Sequence, residues 1–140
     1  VSWPWIIGGL VLWLWLKGRQ QGTTNTVSGL YSAAVVKISE AIAIAEGYWV
    51  TGSLSARSNN PGSLKLGRQL IVFPDAESGW QALYRQVALI LNGQSRYYSA
   101  DMPISQVAVV WTGGDNPGGW AQTVAQQVGV TTSTPLSEVA

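Results

Sequence analysis

Glu46 is the residue best placed to do chemistry. It closes the run Ala41-Ile42-Ala43-Ile44-Ala45, at the carboxyl end of a segment that reads as a helix. Apolar neighbours desolvate a carboxylate there, and the negative end of the helix dipole disfavours its charge. Both effects raise its pKa. A carboxylic acid kept protonated near neutral pH is what a general acid for glycoside cleavage needs. The ordinary alternative is a helix-end Glu facing water. The chain has no Cys and no His among its 140 residues. That removes thiol nucleophiles, Ser-His-Asp triads, disulfides and Cys- or His-based metal sites. Acid–base chemistry then falls to seven carboxylates, with Lys or Tyr behind them. No metal site and no cofactor is expected.

Six residues after Glu46 comes the loop Gly52 to Leu64 (GSLSARSNNPGSL). Asn59-Asn60-Pro61-Gly62 has turn chemistry, so a structural turn is one reading. In the other, the two amides point into a cleft beside Glu46 and hydrogen-bond sugar hydroxyls and N-acetyl groups. Tyr48, Trp49, Tyr97, Tyr98 and Trp111 are rings that could stack on sugar faces, Tyr48 foremost because it adjoins Glu46. Core packing is the competing role for each of them.

Glu46-Gly47-Tyr48 followed by GSLSARSNNPGSL resembles the signature of small lysozyme-like proteins of phages and bacteria, often described as lytic transglycosylases. The likeness continues in order through Phe73-Pro74-Asp75, Glu77, Gly79 and Ala82-Leu83, then Ile104 to Trp111. It ends with Asp115-Asn116, Trp120, Val124 to Val130 and Pro135-Leu136. It covers about Glu40 to Glu138. The resemblance implies a mainly α, α+β lysozyme-like fold with a small β-hairpin. It implies Glu46 as the catalytic acid and base, and peptidoglycan glycan strands as substrate. Ser58, Asn59 and Asn60, with the rings of Tyr48, Tyr97 and Trp111, are the substrate-binding positions expected from it. There are four departures, of which the lost amides would weaken one sugar subsite. Ser63 stands where a third Asn is usual, Ser58 where Asn is frequent, and Ala56 where an aromatic is usual. Trp111-Thr112-Gly113-Gly114 replaces the usual Trp-Ala-Pro-Pro.

A standard hydrolase needs two carboxylates flanking the bond. Glu46 has no obvious sequence partner, although Asp75, Glu77 and Asp115 could approach it in space. Glu77 is also explained as a favourable charge at a helix start, and Asp115-Asn116 as an N-cap before Pro117. A transglycosylase needs only one Glu, because the N-acetyl group of the substrate stabilises the cationic centre. An inactive lysozyme-like structural protein and a cell-wall binding module remain the alternatives.

These residues need elements to hold them. Apolar spacing predicts a helix over 28–45, with Leu30, Ala34, Ile38, Ile42 and Ala45 on one face and Gly47 as its stop. Lys65 to Arg68 and Gln69 to Phe73 read as two short strands of a hairpin. A second helix opens at Pro74-Asp75, turns Trp80, Leu83, Tyr84, Val87 and Leu91 inward, and ends at Asn92-Gly93. Pro103 to Trp111 is a third. The loop Thr112 to Gly119 leads to a fourth carrying Trp120, Val124 and Val128, stopped at Gly129.

The amino terminus has a different character. Val1 to Leu16 has no charged side chain and is ended by Lys17 and Arg19. Four of the eight Trp lie in it, paired near either end as in interfacial belts. Sixteen helical residues reach only about 24 Å, short of the usual span, and snorkelling Lys17 and Arg19 would lengthen it. The reading is an anchor helix over 1–17 that contacts a lipid membrane, a flexible linker over 18–27 and one domain over 28–140. From Gly22 onward six cations face seven acids. A body of net −1 argues against nucleic acid as a partner. The cations beyond the anchor favour a cytoplasmic domain, whereas a wall-degrading domain must reach the periplasm. Late translocation of the amino terminus, a helix lying in the interface, or delivery by a virus particle would each resolve that conflict. The resemblance to phage proteins favours the third, with the anchor in the internal membrane of a virion beside other virion proteins. The domain would then act at the host periplasm during genome delivery.

Overall fold

The computed structural model describes residues 26–140; the anchor over 1–17 and nearly all of the linker lie outside the described residues. The described chain is mainly helical with one two-stranded antiparallel sheet. No described helix is long and apolar enough to cross a membrane.

The order is α1 (Thr26–Gly29), α2 (Ala33–Ala45), α3 (Leu54–Arg57), β1 (Lys65–Leu66), β2 (Gln69–Leu70), α4 (Ala76–Leu91), α5 (Ile104–Thr112) and α6 (Pro117–Val128), closed by a 3₁₀ turn at Leu136–Glu138. The helix expected over 28–45 is two pieces. Ser32 has extended backbone (φ −64°, ψ 157°) and its hydroxyl accepts from the Val35 N–H, so α2 begins after it. Leu30 is therefore off the apolar face and half-exposed, while Val35, Ile38 and Ile42 form that face. Gly47, at φ +73°, ends α2. The Tyr48 N–H reaches the Ala43 carbonyl and the Gly47 N–H the Ile44 carbonyl, which is Schellman geometry. This leaves Glu46 as the C-cap, one position past the last helical residue, Ala45.

Asp75 caps α4, its carboxylate accepting from the Ser78 N–H at 2.9 Å. Pro103 has no capping side chain to offer α5. The C-terminal segment supplies acceptors instead: the Ile104 N–H bonds the Thr134 carbonyl and the Ser105 N–H that of Thr132. Helix α6 starts at Pro117, inside the expected loop, as the preset φ of Pro favours. Asn116 holds the N-cap position but makes no side-chain capping bond, because its backbone is left-handed (φ 49°). Helix α2 packs on α4 and α6, and α5 packs on α6. Ile38, Ile42, Leu83, Val87, Ile90, Ile104, Val107 and Val124 fill the space between them with almost no exposed surface.

The hairpin is shorter than expected. Lys65 pairs with Leu70 and Leu66 with Gln69, and there the ladder stops. Gly67 makes the tight turn at φ +63°. Beyond Leu70 the backbone bonds inward: the Ile71 N–H to the Leu64 carbonyl, and the Phe73 N–H to the Ser58 carbonyl. Asn60 competes with the ladder and wins. Its Nδ2 donates to the Leu64 and Ile71 carbonyls at 2.9 and 2.8 Å, and its Oδ1 accepts from the Leu64 N–H at 2.8 Å. Asn60→Ala removes three hydrogen bonds and leaves the Leu64 N–H and the Ile71 carbonyl without these partners, while the Leu64 carbonyl keeps the Ile71 N–H. It is expected to cost about 3 kcal/mol, read as a lower urea midpoint at unchanged m.

Candidate functional site

Glu46 sits where α2, the hairpin and α6 meet, in the wall of an open groove of about 770 Å³. Ser63, Lys65 and Arg68 line it from the hairpin side, and Trp111, Asp115 and Trp120 from the α5–α6 side. The carboxylate is half-buried. Its Oε2 accepts a 2.8 Å hydrogen bond from the Trp120 indole Nε1, and its backbone carbonyl accepts from the buried Ser55 hydroxyl at 3.1 Å.

Burial pushes the pKa of Glu46 above the ordinary carboxylate value. Contacts from the Ser63 and Trp120 side chains and the charge of Lys65 pull the other way without cancelling it. Desolvation is thus the leading cause. The helix end matters mainly as geometry, since it projects the side chain past the last turn into the groove.

The NNPG segment does not supply amides to this groove. Ser58 is buried and its carbonyl receives the Phe73 N–H. Asn59 Nδ2 donates to the Phe73 carbonyl at 3.2 Å, and Asn60 is fully buried in the latch described above. Ser58, Asn59 and Asn60, expected to bind substrate, are not among the groove's lining residues, and the Asn59 and Asn60 amides bond backbone carbonyls instead. Tyr48 is also not a groove wall. It lies edge-on to Trp49 and Trp80, at centroid distances of 4.9 and 5.5 Å. Tyr97 is half-exposed and lines neither the groove nor the cavity beside it.

Trp111 does line the groove, and it ties the motif to the acid. Its indole Nε1 donates to the Gly62 carbonyl at 3.0 Å, and its ring lies 5.7 Å from that of Trp120. The turn thus places Trp111, Trp111 backs Trp120, and Trp120 holds Glu46. Tyr98 lies 5.8 Å behind Trp111 and is buried. Burial and the Glu46 charge both raise the pKa of its phenol, so it stays neutral. A smaller cavity of about 290 Å³, lined in part by Tyr98, shares Ser63, Lys65, Arg68 and Trp111 with the groove and extends it along the hairpin.

Sequence reasoning missed Trp120 and Ser63 as partners of the acid. Trp120 lies 74 positions away. One signal for it existed: a buried indole N–H needs an acceptor. Of the carboxylates considered as a second acid, Asp75 is occupied as the α4 cap and Glu77 lines a different cavity. Asp115 alone shares the groove with Glu46. Among the described residues, no cluster of acids could hold a metal ion.

Trp120→Phe removes the indole donor that favours ionised Glu46. The pKa of Glu46 is expected to rise further, moving the alkaline limb of any Glu46-dependent activity to higher pH. An unmoved limb in a kcat/KM–pH profile contradicts the assignment.

Comparison with family models, with characterised proteins and with solved structures gives no match for this chain.

Proposed function

We propose that the chain is a lytic transglycosylase that cleaves the β-1,4 bond between N-acetylmuramic acid and N-acetylglucosamine in peptidoglycan. The observation that carries this reading is a half-buried carboxyl with a raised pKa, braced by an indole and opening into a groove. Protonated Glu46 donates its proton to the glycosidic oxygen as the bond breaks. The substrate's own N-acetyl group stabilises the cationic sugar carbon. Glu46, now ionised, takes the proton from the 6-hydroxyl as that oxygen closes onto the same carbon, giving a 1,6-anhydro end and restoring the acid. The Trp120 N–H steadies the charge that Glu46 carries between the two transfers. Trp111 offers a ring to a sugar face.

The resemblance of Glu46-Gly47-Tyr48 and GSLSARSNNPGSL to lysozyme-like transglycosylases supports the same reading, as does the lysozyme-like fold it implies. So does the tryptophan-edged apolar segment over 1–17, read as a membrane anchor. In this proposal the protein sits in a virion membrane and opens the host wall during genome delivery.

A second reading is favoured by Asp115, which shares the groove and is the carboxylate available to serve a hydrolase. Mass spectrometry of muropeptides released from purified peptidoglycan separates the two. Products with 1,6-anhydro ends are expected. Reducing ends mean hydrolysis with Asp115 as the second group, and no release at all sinks both.

A further inference from the structure

A second cavity, of about 560 Å³, opens between the start of the described chain, α2 and α4, and shares no wall residue with the Glu46 groove. Its character is aromatic and acidic. Trp49, Trp80 and Tyr84 run along it as a row of rings, with successive centroids 6.0 and 5.6 Å apart and planes tilted 35° at each step. Tyr48 stands edge-on to both indoles and braces them. Trp49 is nonetheless 66% exposed, with Ile44 beside it at 41%. A large indole packed against other rings yet left open to water is the informative kind of exposed apolar surface.

Glu40 and Glu77 line the same cavity, and among the described residues no Lys or Arg does. Glu77 Oε1 is shielded from water and has no hydrogen-bond partner among the described residues. Burial first, and the nearby Glu40 charge second, push the Tyr84 phenol up to about 12. Anionic ligands are repelled here. A neutral sugar could stack on the rings but would leave both carboxylates without a counter-charge. A cation does both things at once, since ring faces attract positive charge and the carboxylates neutralise it.

We propose that this cavity is a binding site for an organic ammonium ion, seated against the faces of Trp49 and Trp80 with Glu40 and Glu77 as its counter-charges. The inference is independent of the chemistry assigned to Glu46. The ligand class includes quaternary ammonium groups and the side-chain amines of peptides. The geometry favours a quaternary head, because the ring row offers broad π-surface.

The test uses the full-length chain, solubilised without choline-headed or sugar-headed detergent and labelled at the tryptophan indoles. Tetramethylammonium is titrated while the indole N–H resonances are followed by NMR, with W49F and W80F providing the assignments. The expected result is saturable movement of the Trp49 and Trp80 signals, with Trp111 and Trp120 unmoved. Choline is expected to bind at least tenfold more tightly than 3,3-dimethylbutan-1-ol, which has the same shape without the charge. E40Q is expected to weaken choline binding several-fold and E40Q/E77Q at least tenfold, whereas E46Q leaves it unchanged. Three results would overturn the proposal: no saturable shift with tetramethylammonium, equal binding of the neutral alcohol, or saturation of the same two signals by N-acetylglucosamine oligomers with none by choline.

Discussion

Glu46→Gln is expected to lower the release of muropeptides from purified peptidoglycan by at least ~10³-fold, because one group serves as both acid and base. Gln keeps the shape of the side chain and an oxygen that can accept from the Trp120 indole. It cannot give or take the proton. KM is expected to change little, since the groove walls are untouched. Stability separates this outcome from simple unfolding. The folded pKa of Glu46 lies above its unfolded value, so the stability linked to its proton is full below the unfolded pKa and is lost as pH rises through the folded one. As pH rises past the unfolded pKa, holding this carboxyl in its buried setting therefore costs the fold stability. Glu46→Gln is expected to be at least as resistant to heat as the native chain at pH 7 and to lose that advantage near pH 4. An inactive variant with an unchanged or higher Tm assigns the loss to chemistry. Undiminished turnover removes Glu46 from the mechanism.

Gly79→Ala is expected to be the most damaging small substitution in the domain. Gly79 lies in the first turns of α4, where Ala ordinarily stabilises a helix by about 1 kcal/mol over Gly. Here a Cβ would stand 1.8 Å from the Asn59 carbonyl oxygen, 2.9 Å from its carbon and 3.1 Å from Pro61 Cδ. The obstructing atoms are backbone, in a turn already held by the Asn59 and Asn60 amides, so they cannot rotate away. The helix and the turn must separate. The expected cost is about 3 kcal/mol or more, or a fall in Tm on the order of 10 °C. Gly118→Ala in α6 is the control. Nothing lies within 4 Å of its Cβ, and the same change there is expected to stabilise by up to about 1 kcal/mol. Activity is also expected to suffer in Gly79→Ala, because displacing the turn moves Gly62, and Gly62 holds Trp111 behind Trp120. A native-like Tm for Gly79→Ala contradicts the close approach.

Local patterning made much of the helical layout legible. Ile38 and Ile42, and Leu83 and Val87, lie four apart on buried faces. The stops at Gly47 and Gly129 follow from left-handed backbone that Gly adopts without strain. The same reasoning overran the start of α2, because Ser32 can sit in a helix or cap one and the apolar period alone does not choose. It overran β2 for a related reason. QLIVF has the composition of a strand, but its backbone partners past Leu70 are Leu64, Ser58 and the Asn60 amide, all set by how the loop folds back.

The lack of Cys and His, the placing of Glu46 at a helix end and the turn chemistry of NNPG were determined by the amino-acid sequence alone, since each depends on residue type or on neighbours within a few positions. The surroundings of Glu46 were decided by the tertiary structure. Its hydrogen bond comes from Trp120 on another helix, and its burial comes from the meeting of α2, the hairpin and α6. The direction in which Asn59 and Asn60 point was decided there too. An amide beside a bare carbonyl in the interior bonds to it rather than waiting for a ligand, and which carbonyls are bare depends on contacts made across the fold.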